Sequence, residues 1–107
     1  MRVIRDFEIP LTSKDVIDVR LIKKRDTITG FVINLRCNFR DAWHQVYRVD
    51  TAHGFLHEQR FWLSPEPKSL PKFDAYPLQR VFEHFMKHVR MNHERYRRLY
   101  KEKMCSE

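Results

Sequence analysis

The chain has 107 residues, the length of a single domain, and its 42% hydrophobic content predicts a small folded core. Its 21 lysines and arginines outnumber 14 aspartates and glutamates, and the formal charge of +7 favours polyanionic partners such as nucleic acid. The composition excludes several classes, since there is no membrane-length apolar run, no signal-peptide core and no glycine-rich phosphate loop. We therefore expect a cytoplasmic protein without a cofactor, in which Cys37 and Cys105 are free thiols.

The residues before position 40 predict three strands. Residues 2–9 suit a short strand that Pro10 ends. The alternation of Ile17, Val19 and Leu21 with charged residues predicts a half-buried strand over 15–22. The clearest strand covers 31–39, where alternate positions on one face are apolar: Phe31, Ile33, Leu35, Cys37 and Phe39.

Residues 42–50 and 55–63 predict a second hairpin. Its turn is expected around His53-Gly54, where glycine allows a positive φ. In a strand, residues two apart share a face, so we expect His44, Arg48 and Asp50 to point the same way.

The length of the hairpin connection decides which residues of the second strand join that face. An even-numbered connection, over either 53–54 or 51–54, adds His57 and Gln59 to it, whereas a three-residue connection adds Glu58 and Arg60. We favour the connection over 51–54, because it also sets Trp43 opposite Trp62 as an aromatic pair across the strands.

The chain changes character after residue 63. Residues 64–77 hold four of the five prolines and predict a connector from sheet to helix. Over 78–103, apolar residues recur at helical spacing, which predicts one long helix: Val81, Phe82, Phe85, Val89, Tyr96 and Leu99. The expected fold is a single α+β domain over 1–107, with the sheet over 2–63. It is an antiparallel β-meander of four to five strands packed against one long C-terminal helix.

The last turns of this helix are its most basic part. Five cations there face a single glutamate, and we assign them as candidate nucleic-acid-binding residues: Arg95, Arg97, Arg98, Lys101 and Lys103. The alternative is a solvated outer face, whose cations stabilise the helix dipole at its C-terminus.

Four hairpin residues carry the groups needed for metal-independent RNA cleavage: Arg48, Asp50, His53 and His57. His57 is the candidate general acid or base, because imidazole titrates near neutral pH, and Asp50 would orient it. Arg48 would hold a phosphate and stabilise developing charge, and His53 would be the second acid–base group. The alternative is structural, with an Arg48–Asp50 salt bridge, a packed His57 and a glycine that serves only the turn.

Two histidine pairs have a spacing that metal ligands use, namely His53-x3-His57 and His84-x3-His88. Such pairs arise readily by chance in a chain with six histidines, and neither has an adjacent carboxylate or thiolate ligand. We therefore predict no metal site.

The segment Arg48-x-Asp50-x-x-His53-Gly54-x-x-His57 resembles the centre of small prokaryotic proteins of uncharacterised function. It is more distantly similar to the TumE-type toxins of toxin–antitoxin pairs, in which an Arg-x-Asp pair and a histidine-rich segment follow a β-meander. The resemblance covers roughly residues 31–63 and departs from the pattern at 54–56, where a proline and a tighter histidine cluster are expected. It implies an RNA-directed, nuclease-like toxin, with an antitoxin protein as partner and Arg48, Asp50, His53 and His57 as the matching positions.

The first functional expectation is a small basic RNA-binding protein, with the hairpin face as a candidate ribonuclease site. The alternative is a non-catalytic nucleic-acid-binding module that uses the helix cations and exposed aromatic rings. A third expectation is a homodimer. Phe55, Phe61 and Leu63 fall on the predicted site face, and a sheet that is apolar on both sides needs cover on both.

Overall fold

A computed structural model describes residues 1–105, except for the side chain of His53. One antiparallel sheet holds six strands in sequence order: β1 Arg2–Thr12, β2 Asp15–Lys24, β3 Thr27–Phe39, β4 Ala42–Asp50, β5 His57–Arg60 and β6 Lys68–Ser69. One long helix, α1 Leu78–Met104, follows, and short 3₁₀ turns occupy Ala52–Gly54 and Pro71–Phe73. The predicted α+β meander with a long C-terminal helix is confirmed.

The strand count is six, not the predicted four to five. The additional strand, β6, lies in the proline-rich connector and pairs with β5. It is short because Pro67 and Pro71 flank it and cannot donate a ladder hydrogen bond. β5 covers only His57–Arg60, less than the predicted 55–63.

Pro10 does not end β1, contrary to the expectation from sequence. The strand continues to Thr12, with a register shift between Pro10 and Thr12. β1 forms the edge of the sheet, where a residue without an N–H group is tolerated.

α1 packs on one face of the sheet, chiefly against β3 and β4. Its buried side chains extend the predicted stripe to the end of the helix: Val81, Phe85, Val89, Tyr96 and Tyr100. They cover the apolar positions of β3, and burial of each such side chain stabilises the fold by about 1.5–3 kcal/mol. Among residues 1–105, no helix combines the length and the apolar character that a membrane crossing requires.

β4 contains a bulge at Val46. Leu35 pairs with Tyr47 while the next residue, Arg36, pairs with Gln45, so Val46 is an extra residue in β4. Val46 and Tyr47 are both fully buried.

The bulge reverses the alternation along β4. His44 lies on the helix side, where its Nδ1 is 3.2 Å from the hydroxyl oxygen of Tyr100. Arg48 and Asp50 lie on the face away from α1, here called the open face, so the expected grouping of His44 with them is wrong. A pattern with a period of two residues holds only while the ladder is regular.

Arg97 ties α1 to the end of the sheet at which β3 finishes. Its guanidinium donates to the Asp15 carboxylate at 2.8 Å and to the carbonyl oxygen of Asn38 at 2.8 Å, and lies 4.5 Å from the ring centroid of Phe39. Burial of Asp15 opposes its ionisation, but hydrogen bonds, including those from Thr12 and Arg97, outweigh burial and lower the pKa of Asp15. Arg97, which was predicted to contact nucleic acid, therefore has its bonding partners within the protein.

Candidate functional site

The connection between β4 and β5 spans residues 51–56, with Asp50 paired to His57 and Arg48 paired to Gln59. This connection has an even number of residues. As predicted for an even number, His57 and Gln59 share a face with Arg48 and Asp50. The favoured connection over 51–54 is wrong.

The predicted pairing of Trp43 with Trp62 is also wrong. Trp43 pairs with Asn38 of β3, and the guanidinium of Arg36 lies 4.6 Å from its ring centroid. Trp62 follows the end of β5 and packs against Tyr96, with ring centroids 5.0 Å apart. The β4–β5 ladder ends at the pair of Tyr47 and Arg60, so β5 does not reach the level of Trp43.

Arg48, Asp50 and His57 form a connected cluster on the open face, here called the hairpin cluster. Nε of Arg48 is 2.5 Å from Oδ2 of Asp50, and Nε2 of His57 is 2.6 Å from Oδ1 of the same carboxylate. The backbone N–H of Ala52 also donates to Oδ1, at 3.2 Å. The Asp50 carboxylate therefore binds the Arg48 guanidinium, the His57 imidazole and the backbone of the following turn at the same time.

Acid–base chemistry at His57 is restricted by its surroundings. Its side chain is 6% exposed and that of Asp50 is 2% exposed. The other ring nitrogen, Nδ1, lies 3.2 Å from the carbonyl oxygen of Phe55, so both ring nitrogens face acceptors. A general base needs a nitrogen that can reach the proton of its substrate. The geometry brings the predicted residues together but gives them the contacts of a structural network.

The remaining predicted member, His53, belongs to the 3₁₀ turn Ala52–Gly54. Its side chain lies outside the described part of the structure, so its relation to the hairpin cluster is left as a prediction.

The open face next to the hairpin cluster is polar and electrically balanced. Arg20 pairs with Asp6 at 2.7 Å, and Arg36 bridges Asp18 and Glu8 at 2.8 and 3.0 Å. Phe55, Phe61 and Leu63, on which the expected homodimer rested, lie outside β5 and do not form an apolar sheet face, so the homodimer stays a prediction. The balance of charge also means that this face does not attract a polyanion strongly.

A surface rich in positive charge lies elsewhere, at the end of the molecule where the β1–β2 turn, the β3–β4 turn and the last turns of α1 meet. A cleft of about 680 Å³ there is lined by four cations and one carboxylate: Lys14, Arg40, Arg97, Lys101 and Glu102. Arg98 and Lys103 are exposed on the adjoining turns of α1, and Arg95 lies one turn earlier. We call this surface the basic end.

Lys14 and Arg40 were not predicted as site residues. The signal that could have found them is topological. In a meander, the first and third turns lie at the same end of the sheet, and the long helix runs back along the sheet to that end. The cations of the β1–β2 turn and of the β3–β4 turn therefore lie next to the C-terminus of α1.

The hairpin cluster and the basic end are separate places. Asp50 pairs with Val32 of β3, whereas Arg97 binds the carbonyl oxygen of Asn38, roughly 20 Å further along that strand. The cluster is also on the open face, while the basic helix is on the opposite face. The structure therefore does not bring the candidate catalytic residues and the candidate nucleic-acid-binding residues together.

A second polar network lies buried between sheet and helix. Tyr47 donates its hydroxyl to Oε2 of Glu58 at 2.6 Å, and Nε of Arg60 is 3.1 Å from Oε1. Burial, together with the bond to Glu58, raises the pKa of Tyr47. On the same side, Nε2 of His88 lies 2.6 Å from the hydroxyl oxygen of Tyr96. Only the three-residue alternative would have put Glu58 on the site face, and the observed even-numbered connection turns it to the helix.

The helix pair His84 and His88 does not gain further ligands. Their rings lie 6.2 Å apart, and within the described residues no group of three or more histidine, cysteine, aspartate or glutamate side chains has a metal-binding arrangement.

His88 provides a pH-dependent test of this packing. Burial lowers its pKa below the ordinary 6.5, although the Glu58 carboxylate acts in the opposite direction. The unfolded chain therefore takes up the proton first, and stability falls as the pH drops below about 6.5 towards the folded pKa. We expect His88→Gln, whose amide can still bond Tyr96, to lose less stability than the wild type between about pH 7.5 and pH 5.

Urea unfolding at each pH measures this difference, and His84→Gln, at an exposed position of the same helix, is the matched control. If His84→Gln removed as much of the pH dependence as His88→Gln, burial of His88 would not be its source.

Comparison with known proteins identifies a family. No match to a curated protein or to a solved structure was found. A family model matches residues 2–105, a range that covers all six strands and the helix. The chain belongs to the family described as a domain of unknown function (DUF7718).

Proposed function

We propose that this protein binds nucleic acid, with single-stranded RNA as the favoured ligand, through the basic end. The observation that supports the proposal is the cleft lined by Lys14, Arg40 and Lys101 against the single carboxylate of Glu102, beside Arg97, whose charge is paired with Asp15. Exposed helix cations adjoin it, so a phosphate backbone could follow the surface from the turns to α1. Contacts with several phosphates at once account for most non-specific affinity for nucleic acids.

The preference for single strands rests on Trp43. This residue is 44% exposed and lies on the open face at the same end of the sheet, next to the β3–β4 turn that carries Arg40, with the Arg36 guanidinium over one side of its ring. An exposed aromatic ring beside cations offers a stacking surface for an unpaired base. The bases of a duplex are stacked on each other and cannot use such a surface.

The proposal is tested by fluorescence anisotropy with a labelled single-stranded RNA, its DNA equivalent and an RNA duplex at two salt concentrations. We expect the double substitution Lys14→Glu with Lys101→Glu to weaken RNA binding roughly tenfold or more at low salt. It should also reduce the salt dependence, because fewer counterions are released. The matched control is Lys24→Glu with Lys87→Glu, which changes the net charge equally at exposed positions away from the cleft.

Equal losses in the two double variants would show that only net charge matters and would contradict a site at the basic end. Tighter binding to the duplex than to the single strand would contradict the role of Trp43.

RNA cleavage at the hairpin cluster is the second candidate. The convergence of Arg48, Asp50 and His57 favours it, as does the resemblance to TumE-type toxins, which implies an antitoxin partner. Cleavage would require His57 to release Asp50 or the carbonyl oxygen of Phe55 before it accepts a proton. Denaturing gels of the incubated RNA, with and without chelator, separate cleavage from binding alone.

We also propose a reducing compartment such as the cytoplasm. Cys37 and Cys105 are both free, and burial raises the pKa of the Cys37 thiol and keeps it in the unreactive form.

A further inference from the structure

β1 presents a long strand edge without a neighbouring strand. It is first in the strand order, so within the described residues only β2 pairs with it. Val3, Ile4 and Phe7 are 43%, 45% and 41% exposed. An exposed edge with apolar side chains is a template for pairing with another strand.

Three protections of an edge strand are absent from most of β1, although charged side chains are interspersed with its apolar ones. Short length, a bulge and proline each prevent edge pairing. β1 has 11 residues, and both Pro10 and the register shift lie near the β1–β2 turn. The stretch over residues 2–8 is therefore regular and able to pair.

We propose that two copies of this chain associate through antiparallel pairing of their β1 edges, which joins the two sheets into one. Two-fold symmetry fixes most of the geometry. A two-fold axis normal to the joined sheet keeps the open faces of both copies on the same side. Each residue of β1 therefore pairs only with a residue of the partner's β1 whose side chain points to the same face of the joined sheet. Odd-numbered positions therefore face odd-numbered positions, and even-numbered positions face even-numbered ones.

Charge favours one register among those that remain: Val3 on the axis brings no opposite charges together, and Phe7 on the axis sets Asp6 opposite Glu8 of the partner subunit. With Arg5 on the axis, two arginines face each other. With Asp6 on the axis, two aspartates face each other. Both arrangements are destabilising, because they set like charges directly opposite across the strands.

With Ile4 on the axis, Ile4 meets Ile4 of the partner subunit and Arg2 meets Asp6 of the partner subunit twice. Arg2 would then share the Asp6 carboxylate with Arg20, which binds it within each chain at 2.7 Å. Val3 then packs on the stem of Arg5 of the partner subunit. The sequence of β1 is therefore complementary to the β1 edge of a second copy of this chain.

The interface is independent of the proposed nucleic-acid function. It uses residues 1–7, at the end of β1 away from the β1–β2 turn that carries Lys14. The basic end therefore remains accessible in both copies.

Light scattering after size-exclusion chromatography tests the association over a range of protein concentrations. A strand pair of this length makes a small interface, so we expect a dissociation constant on the order of 10 µM. Ile4→Lys places two ammonium groups on the axis and should weaken the dimer roughly tenfold or more. Met91→Lys, at an exposed helix position, is the matched control and should leave the association unchanged.

The register is tested by oxidation of cysteine variants in a Cys105→Ser background. Residues that face each other across antiparallel strands have Cα atoms about 4.5–5.5 Å apart, within the range of a disulfide. Ile4→Cys should therefore form a covalent dimer. Arg5→Cys should not, because its two copies would be offset by two residues and lie roughly 8 Å apart.

A monomer at 200 µM would overturn the proposal, as would a dimer that Ile4→Lys and Met91→Lys weaken equally. Covalent dimers from Arg5→Cys without any from Ile4→Cys would overturn the register. Circular dichroism of each variant confirms that it is folded. Loss of the dimer can then be assigned to the changed β1 edge and not to unfolding.

Discussion

Asp50→Ala is expected to reduce the free energy of unfolding by about 4 kcal/mol. The Asp50 side chain is 2% exposed and is the shared partner of the Arg48 guanidinium and the His57 imidazole. Its removal takes away the acceptor that Nε2 of His57 and the half-buried Arg48 guanidinium share, and it also removes the acceptor of the Ala52 N–H. Urea unfolding measures the loss, which corresponds to a fall of roughly 15–30 °C in Tm.

Asp18→Ala is the matched control for this prediction. It removes the same group from the same open face, where Asp18 pairs with Arg36. The Asp18 side chain is 36% exposed, so solvent screens the pair and the expected cost is below about 1 kcal/mol. Equal costs for the two variants would contradict a structural role for the hairpin cluster and would favour the catalytic interpretation of its residues.

Arg97→Ala is expected to cost about 3 kcal/mol, the second largest effect. The substitution breaks the bonds to Asp15 and to the carbonyl oxygen of Asn38, and it leaves the carboxylate of Asp15 buried beside fewer donors. Arg97→Lys should recover only part of the loss, because an ammonium group cannot bind both acceptors with the geometry of a planar guanidinium.

The neighbouring residue supplies the control. Arg98 is exposed, and Arg98→Ala should change stability by less than about 0.5 kcal/mol while it weakens RNA binding. Urea unfolding and anisotropy measured on both variants separate the two roles. A destabilised Arg98→Ala beside an unaffected Arg97→Ala would contradict the assignment of roles along α1.

The two variants also show which site residues a linear pattern can identify. Arg97 and Arg98 have the same chemistry and adjacent positions, and both match the predicted basic helix. Only the packing of α1 against Asp15 and Asn38 assigns one to the fold and leaves the other in solvent. Sequence periodicity predicts the buried stripe of a helix but not which long side chain at its border finds a partner.

The sequence by itself determined the fold class, the bounds of β4 and of α1 to within one residue, and the shared face of Arg48 and Asp50. Those features depend on local periodicity, which neighbouring residues specify, whereas the sequence left open the parity of the connection that brings His57 to that face. The tertiary structure alone decided the rest. The extra residue at Val46 reversed the face of His44, and the burial of Asp50 enclosed the hairpin cluster. The meeting of two turns with the end of α1 placed the positive charge away from that cluster. Those outcomes depend on contacts between residues distant in the chain, which no local pattern encodes.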